Sequence, residues 1–350
     1  MIVTVTPNPS LDRTIELPGP LIPGELQRAA GQSVESGGKG VNVSRALSAA
    51  GAGNLAVLPG DPSDPVLVGL AEIQVPFRSL PLGAPLRTNI TITDPQGTTT
   101  KINEAGPRFG HQLTAALEEL ILHAAEGASW VVLAGSLPPG VPDDFYARVA
   151  GQLRSRYGTQ APRIAVDASG PALAAAVAAR PDLIKPNAEE LLDLHRRVAG
   201  APARAGAPAR AGAPQPAPAE LERHPDLVVD LLRDLQPAGV RTALVTLGAR
   251  GALLIPPAGS ADPVLCAYGP PLTARSTVGA GDASLAGYLA AHQAGGTAED
   301  CLRQATAQGR AAASLPGSTM PAPGDLTPSD VVVEAFHPDS ERHHHEHHHH

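Results

Sequence analysis

The amino-acid sequence predicts an α/β fold with an open, mostly parallel sheet and helices on both of its faces. Three observations favour this fold class. Short apolar segments alternate with segments of helical periodicity through most of the chain. Glycine-rich turns stand before two of the predicted helices, at 36–42 and 276–284. Apolar residues make up 43% of the chain and charged residues 17%, as in globular proteins.

The first half of the chain supplies strands, helices and one hairpin. We predict a strand at 1–6, a helix at 39–50, strands at 54–58, 88–93, 98–102 and 130–134, and a helix at 112–125. The strands at 88–93 and 98–102 flank the turn Pro95-Gln96-Gly97, and the first of them alternates polar and apolar residues. A half-exposed hairpin does not suit a buried parallel sheet, so we interpret it as part of a lid.

The second half continues the alternation. We predict helices near 143–156, 171–179, 189–198, 220–236, 281–293 and 298–313, and strands at 163–166, 182–184, 242–246, 252–255 and 263–267. Residues 199–219 repeat the hexapeptide AGAPAR without apolar periodicity, which predicts a flexible surface loop. We therefore predict one domain over 1–325, with a lid at about 12–36 and 87–103. A C-terminal tail at 326–350 ends in a histidine tag.

Composition excludes several classes of function. The formal net charge is −8 and no basic block stands out, which argues against nucleic acid as a partner. No apolar run approaches the ~20 residues that span a bilayer, so we expect no membrane segment. Cys266 and Cys301 lie far apart without metal-ligand spacing, so we expect neither a disulfide framework nor a zinc site. A reducing cytoplasm fits this cysteine usage.

The turn Gly279-Ala280-Gly281-Asp282 indicates phosphoryl transfer. It opens an apolar helix, and the free N–H groups and dipole of a helix start favour an anion such as phosphate. A carboxylate beside that position repels the anion, unless it takes a proton from a hydroxyl that attacks the phosphate. Asp282 is therefore our candidate catalytic base.

A second glycine-rich turn, SGGKGVN at 36–42, also precedes a helix. Lys39 adds a positive charge there, and Asn42 adds a donor and an acceptor. An ordinary strand-to-helix turn explains the same residues. The spacing matches neither a Walker A loop nor the G-x-G-x-x-G dinucleotide fingerprint.

Other candidates follow predicted strands, where open α/β sheets bind ligands. Asp12 follows the first strand and can accept hydrogen bonds from sugar hydroxyls; it is equally an ordinary turn residue. Asn187 and Glu190 lie three apart, an arrangement that suits either a Mg²⁺ site beside a nucleotide or a simple capping box. The segment 246–251 holds two glycines that would let backbone approach a nucleotide, or that simply form a turn.

Four further polar residues are open to two interpretations. Arg28, Arg87 and Lys101 are isolated cations, which are commonly surface charges unless the fold gathers them. Ser136 ends a buried strand and is positioned to face a ligand, but its surroundings do not match the G-x-S-x-G elbow of hydrolases.

With these motifs in this order, the chain resembles the ribokinase-like (PfkB) carbohydrate kinases over about residues 1–325, apart from the insert. The two motifs that carry the resemblance are GGKGVNVSRALSAAG at 37–51 and STVGAGDAS at 276–284. Within that family it is most similar to the 1-phosphofructokinase and tagatose-6-phosphate kinase branch. The segments that carry this similarity are TVTPNPSLD, RTNI, KINEAGP, AGSLPPGVP, KPNAEEL and the pair Ser276-Thr277.

The resemblance implies a three-layer α/β/α sandwich with a small β-sheet lid, ATP and Mg²⁺ as cofactors, and a possible homodimer through the lid. Asp282 would be the base, and the backbone of Gly279, Ala280 and Gly281 would stabilise charge on the transferred phosphoryl group. The other implied residues have four roles: sugar binding by Asp12, Gly38, Lys39, Asn42 and Asn103; binding of the sugar's phosphate by Arg28, Arg87, Lys101 and Ser136; nucleotide binding by Lys185, Asn187, Thr246, Gly248, Gly251 and Gly281; and Mg²⁺ binding by Asn187 and Glu190.

The activity this implies is ATP-dependent phosphorylation of a ketohexose phosphate, foremost fructose 1-phosphate to fructose 1,6-bisphosphate. Tagatose-6-phosphate kinase and fructose-6-phosphate kinase are the alternatives. A non-catalytic sugar-phosphate sensor is disfavoured by the intact Asp282. A dinucleotide-dependent oxidoreductase is disfavoured by the missing fingerprint.

Overall fold

The computed structural model describes residues 1–199 and 216–337. Its strands are β1 Ile2–Val5, β2 Ser10–Glu16, β3 Gly31–Gly37, β4 Asn54–Pro59, β5 Phe77–Leu80, β6 Arg87–Thr93, β7 Thr99–Asn103, β8 Trp130–Ala134, β9 Arg163–Asp167, β10 Leu183–Ile184, β11 Thr242–Thr246, β12 Ala252–Ile255, β13 Leu265–Tyr268 and β14 Val332–Ala335. The predicted loop at 199–219 lies outside the described residues except at its two ends, and the histidine-rich end of the chain lies wholly outside them.

The helices alternate with these strands. They are α1 Lys39–Ala49, α2 Pro65–Glu72, α3 His111–Ala124, α4 Phe145–Tyr157, α5 Gly170–Ala178, α6 Ala188–Ala199, α7 Pro218–Arg223, α8 Pro225–Leu235, α9 Ala280–Gln293 and α10 Ala298–Ser314. Within the described part of the chain, none of them combines the length and the apolar character that crossing a bilayer requires.

A ten-stranded sheet forms the middle layer, in the order β5-β4-β1-β8-β9-β10-β11-β12-β13-β14. The first seven strands are parallel and the last three are antiparallel. Because crossover helices cover both faces, the central strands β1 and β8 are buried along their whole length and are apolar apart from Thr4. The predicted open, mostly parallel sheet is confirmed.

Alternate residues of each strand enter opposite cores, which makes the molecule a three-layer sandwich. In β1, Val3 and Val5 face the core formed with α3, α4, α5, α6 and α8. Ile2 faces the other core, where α1, α9 and α10 pack. The parallel strands therefore end at one common edge, and α1 and α9 both begin near it.

The lid is a separate four-stranded sheet in the order β3-β2-β6-β7. The predicted hairpin forms its β6–β7 half, and β2 pairs with β6 from Ser10 opposite Arg87 to Glu16 opposite Thr93. Strand alternation divides the lid into a polar face and a more apolar face. The polar face includes Ser10, Asp12, Glu35, Asn89, Lys101 and Asn103, which register places on the same side.

Two predicted segments differ from the structure. The helix predicted at 220–236 is divided into α7 and α8, because Pro225 occupies the first position of a new helix and disfavours helical geometry at His224. In the predicted tail, β14 pairs with β13, with Leu265 opposite Ala335. The four residues of β14 show little alternation of polar and apolar side chains, so the sequence alone does not predict a strand there. The strand forms because the edge of β13 offers it backbone hydrogen bonds.

Close packing of α1 on β1 yields a prediction about stability. A Cβ on Gly40 would stand 2.8 Å from the carbonyl oxygen of Val5 and would also collide with the Thr6 hydroxyl. Gly40→Ala should lower the free energy of unfolding by about 1–3 kcal/mol in a urea titration, although alanine favours helices. In α4, a Cβ on Gly151 has open space, so Gly151→Ala should raise stability by up to about 1 kcal/mol. Equal effects of the two changes would contradict this account.

Candidate active site

The glycine turn before α9 forms a cradle suited to an anion. Gly279 precedes the helix with a φ of 76°, a left-handed conformation that favours glycine. The first N–H groups of a helix have no partner within the helix, although the Ala280 N–H is 3.4 Å from the Thr277 carbonyl oxygen of the preceding turn. The ammonium of Lys185 stands 3.1 Å from where a Cβ on Gly281 would lie, so a positive charge lies directly against the turn. Helix start and lysine together favour a phosphate group.

Asp282 lies in the first turn of α9, buried, and accepts a hydrogen bond from Asn42. The distance from Asn42 Nδ2 to Asp282 Oδ2 is 2.8 Å. Burial and repulsion from Asp167 raise the pKa of Asp282 to about 7, while Lys185, Lys39 and the Asn42 hydrogen bond act in the opposite direction. A carboxylate with a pKa near neutrality is well matched to proton abstraction.

Asp167, at the end of β9, is a central charge that the sequence analysis did not identify. Its carboxylate is fully buried, 2.8 Å from Lys39 Nζ and 3.2 Å from Lys185 Nζ. Burial opposes ionisation, but the two ammonium groups outweigh it and hold the pKa of Asp167 below its ordinary value. The sequence did contain a feature that could have identified Asp167: it stands at the carboxyl end of a predicted buried strand, the criterion by which Asp12 was selected.

Lys39 connects two parts of the site. Besides Asp167 it contacts Glu190, with 2.8 Å between Lys39 Nζ and Glu190 Oε1. Burial acts to lower the pKa of Lys39, but the neighbouring Asp167 and Glu190 raise it above its ordinary value. The preceding Gly38 has a φ of 108°, and a Cβ there would stand 3.2 Å from the Pro9 Cα. Gly38 thus lets α1 begin close against the chain that leads into the lid.

Asn187 and Glu190 form the capping box at the start of α6. The Asn187 N–H donates to Glu190 Oε2 at 3.0 Å, and the Glu190 N–H donates to Asn187 Oδ1 at 2.9 Å. Both carboxylate oxygens of Glu190 therefore already have protein partners. Mg²⁺ prefers oxygen donors and keeps several of its waters. These residues fit a Mg²⁺ ion held through water rather than in direct contact.

The residues predicted for a nucleotide lie at the ends of β10 and β11. The Thr246 N–H donates to the Pro186 carbonyl at 3.2 Å, which places Thr246 beside Lys185 and Asn187. Gly248 has a φ of 55° in the following turn. Gly251 has a φ of 98°, and a side chain there would collide with the Ala267 carbonyl of β13. The close contact with β13 is therefore enough to explain a glycine at 251, without any contact to a nucleotide.

Asp12 sits on the polar face of the lid in a small hydrogen-bonded group. Its Oδ1 accepts from Ser10 Oγ at 2.7 Å and from Asn89 Nδ2 at 3.1 Å. Burial raises the pKa of Asp12, against the effect of these two hydrogen bonds. Gly37 lies so close that any side chain there would collide with the Asp12 carboxylate. The Asp12 oxygen nearest to that position is Oδ2, the one that does not accept from Ser10 or Asn89.

Arg87 and Ser136 meet through Asn8, at the end of the segment that follows β1. Arg87 Nε donates to the Asn8 carbonyl at 3.2 Å, and Asn8 Nδ2 donates to Ser136 Oγ at 3.3 Å. Asn103 faces Asn89 across the β6–β7 pair, and Lys101 is exposed two residues away on the same face. The structure thus brings these predicted residues to one side of the lid.

Arg28 is the predicted residue that the structure places elsewhere. It is exposed in the connection between β2 and β3, close to the end where Glu16 faces Gly31. Asp12 and Ser10 lie toward the opposite end, where β2 meets the core. Seven strand residues at 3.3 Å each span about 20 Å, so Arg28 lies far from the site of its own chain.

Comparison with known proteins agrees with the geometry. The family model described as pfkB family carbohydrate kinase matches residues 8–324. The chain is 34% identical to the 1-phosphofructokinase of Rhodobacter capsulatus over 93% of this chain and 94% of that protein. It is 30% identical to the ATP-dependent 6-phosphofructokinase isozyme 2 of Mycobacterium tuberculosis, over 91% and 85%.

The chain belongs to the pfkB family of carbohydrate kinases. A crystal structure of phosphofructokinase-2 from Escherichia coli in complex with substrates and products has a TM-score of 0.76 and 28% identity, and the alignment covers 93% of this chain and 96% of that one. The family membership and the ribokinase-like sandwich expected from the sequence are confirmed.

Burial of the Asp282 carboxylate predicts a cost in stability. The pKa of Asp282 is raised in the folded protein, so folding disfavours the ionised form and stability falls as pH rises from about 4 to about 7. Asp282→Asn removes this cost. Its thermal midpoint should match the wild type near pH 4 and exceed it by a growing margin up to pH 7, as measured by calorimetry. A constant difference across that range would contradict the raised pKa.

Proposed function

We propose that this protein transfers the γ-phosphoryl group of ATP to the free hydroxyl of a ketohexose phosphate, foremost fructose 1-phosphate, giving fructose 1,6-bisphosphate. The observation that carries the proposal is the buried Asp282 at the glycine turn, with the Lys185 ammonium against that turn. Relatives named 1-phosphofructokinase, similar over nearly the whole chain, support the choice of acceptor.

The proposed chemistry begins with the acceptor hydroxyl. Asp282 accepts its proton while the hydroxyl oxygen forms a bond to the γ-phosphorus, and the bond from that phosphorus to the bridging oxygen of ADP breaks. The backbone N–H groups of Gly279, Ala280 and Gly281 and the Lys185 ammonium stabilise the charge on the transferred group. Asn42 holds Asp282 Oδ2, which leaves Oδ1 for the acceptor hydroxyl.

The polar face of the lid would hold the acceptor. Asp12 and Asn103 bind sugar hydroxyls, and Lys39 contributes positive charge below them. The phosphate that the sugar already carries is assigned to Arg87, Lys101 and Ser136, since a guanidinium matches a phosphate in geometry and charge. In this proposal Arg28 is not a ligand within its own chain, because of its distance along the lid.

ATP is assigned to the ends of β10 and β11, against Lys185, Asn187, Thr246 and Gly248. Gly251 shapes the turn beneath. Asn187 and Glu190 would hold Mg²⁺ through water, and the ion would neutralise charge on the phosphates. The partners proposed are thus small molecules, with no role for nucleic acid or membrane, and we infer a cytoplasmic location from the cysteine usage.

Fructose 6-phosphate and tagatose 6-phosphate are the alternative acceptors. Both offer the hydroxyl at the opposite end of the sugar from that of fructose 1-phosphate, and the relative from Mycobacterium tuberculosis is named for 6-phosphofructokinase activity. A coupled assay of ADP release across the three phosphosugars should give the highest kcat/KM with fructose 1-phosphate. Asp282→Ala should lower kcat about 10²- to 10⁴-fold. Turnover confined to unphosphorylated sugars, or an unchanged rate in the variant, would contradict the proposal.

The pH dependence of the reaction should report Asp282. Because the base must be unprotonated, kcat/KM should rise with pH through the pKa of about 7. In Asn42→Ala the hydrogen bond that favours the ionised carboxylate is lost, so the rise should move to higher pH. Ionisation of the substrate phosphate is the same for both enzymes and cancels in the comparison. Identical pH profiles of kcat/KM for the wild type and Asn42→Ala would show that a group other than Asp282 causes the rise.

We further propose a homodimer formed through the lid. One row of the face opposite Asp12 crosses all four strands as Val34, Arg13, Ile90 and Ile102. Val34 and Ile102 are 53% and 54% exposed, so this row presents apolar side chains to solvent. A second copy of the same lid would bury this row isologously.

Light scattering tests the dimer. Ile102→Asp should convert a dimer to a monomer, because it would bury a charge in the contact. Ile73→Asp is the matched control, since Ile73 is 53% exposed but follows α2 rather than belonging to the lid. A monomeric wild type, or a dimer that survives Ile102→Asp, would overturn the proposed interface.

A further inference from the structure

Arg45 has contacts that the reaction proposed above does not use. Its side chain is 10% exposed and extends from α1 toward the lid. Arg45 Nη1 lies 3.2 Å from each of the Ser36 carbonyl, Asn42 Oδ1 and Ser318 Oγ. Arg45 Nη2 lies 3.5 Å from Glu35 Oε1. An arginine with this many partners and so little exposure is held in one place.

The contact with Asn42 fixes which way that amide points. A guanidinium only donates, so Asn42 must present Oδ1 to Arg45. The Nδ2 group then points to the other side, where it donates to Asp282 Oδ2. In the flipped amide, Oδ1 would face the Asp282 carboxylate and Nδ2 would face the guanidinium, so both contacts would be repulsive. Arg45 and the Asp282 carboxylate therefore favour the same orientation of the Asn42 amide, and Arg45 supports it from the side of the lid.

The remaining contacts of Arg45 belong to the lid and to the segment that follows α10. Glu35 and Ser36 lie in β3, and Glu35 directly faces Asp12 across the β2–β3 pair. Ser318 donates to Glu35 through its hydroxyl and, at 3.2 Å, through its N–H. One side chain therefore touches the strand beside Asp12 and the amide that holds Asp282.

We propose that Arg45 is a positioning residue that couples the place of the lid to the orientation of Asp282 through Asn42. The inference rests on the proposed role of Asp282 as base. With the lid in the position seen here, the Ser36 carbonyl and Glu35 hold the guanidinium against Asn42 Oδ1. When the lid moves away, the guanidinium loses these acceptors and Asn42 loses its fixed orientation. Proton abstraction is thus favoured only when the lid lies over the sugar.

Steady-state kinetics on the full chain test the coupling. Arg45→Ala should lower kcat about 10- to 100-fold, with little change in the KM for ATP. Free guanidinium should restore part of the loss. Arg45→Lys keeps the charge but offers a single ammonium to four acceptors, so its kcat should fall between those of the wild type and Arg45→Ala. Wild-type kcat in Arg45→Lys would mean that charge alone matters and would overturn the proposal.

A double-mutant cycle with Asn42→Ala tests the route. If Arg45 acts through Asn42, Arg45→Ala should add little to the loss already caused by Asn42→Ala. Additive losses would contradict it. Arg154→Ala is the control, because Arg154 is partly buried and donates to the carbonyls of Ala179 and Arg180 at the end of α5, away from the site. Its kcat should equal that of the wild type.

A measurement without substrate separates this inference from the proposed function. In the unliganded protein, the side-chain amide protons of Asn42 should exchange slowly by NMR in the wild type and faster in Arg45→Ala. Equal exchange would overturn the role of Arg45 whatever the substrate. Failure of the wild type to phosphorylate any of the three phosphosugars, with the exchange difference intact, would overturn the proposed function and leave the Arg45–Asn42 link standing.

Discussion

The buried carboxylate of Asp167 organises the charges of this site. It draws the ammonium groups of Lys39 and Lys185 together, at 2.8 and 3.2 Å. Lys185 thereby lies against the glycine turn, and Lys39 reaches Glu190 at the start of α6. Removing one member would leave an uncompensated charge in the interior, which is the costly outcome for a buried ion pair.

The same carboxylate sets the character of Asp282. Its negative charge adds to the effect of burial and raises the pKa of Asp282, while the two lysines and Asn42 keep that rise limited to about 7. Two aspartates close together thus have opposite properties: Asp167 stays ionised between its lysines, and Asp282 is able to take up and release a proton near neutral pH. Such divergence between neighbouring carboxyl groups is typical of acid–base sites.

Local sequence patterns predicted much of the fold and part of the site. Strand and helix periodicity located most elements to within a few residues, and both glycine turns open the helices expected of them. Local patterns could not predict contacts between distant segments. The Asn42–Asp282 hydrogen bond joins residues 240 apart in the chain, and the Lys39–Asp167 hydrogen bond joins residues 128 apart. Residue type alone also could not place Arg28 away from the site, because the pairing of β2 with β3 decides it.

The central claim is that burial and Asp167 hold Asp282 as a carboxyl group that titrates near neutrality. Carbon-13 NMR of the aspartate carboxyl groups in the unliganded protein measures this directly, with Asp282→Asn used to assign the signal. The account predicts a titration of the Asp282 carboxyl near pH 7, which moves toward the ordinary aspartate value when Asp167 is replaced by asparagine. Titration of Asp282 near pH 4 in the wild type would contradict the account.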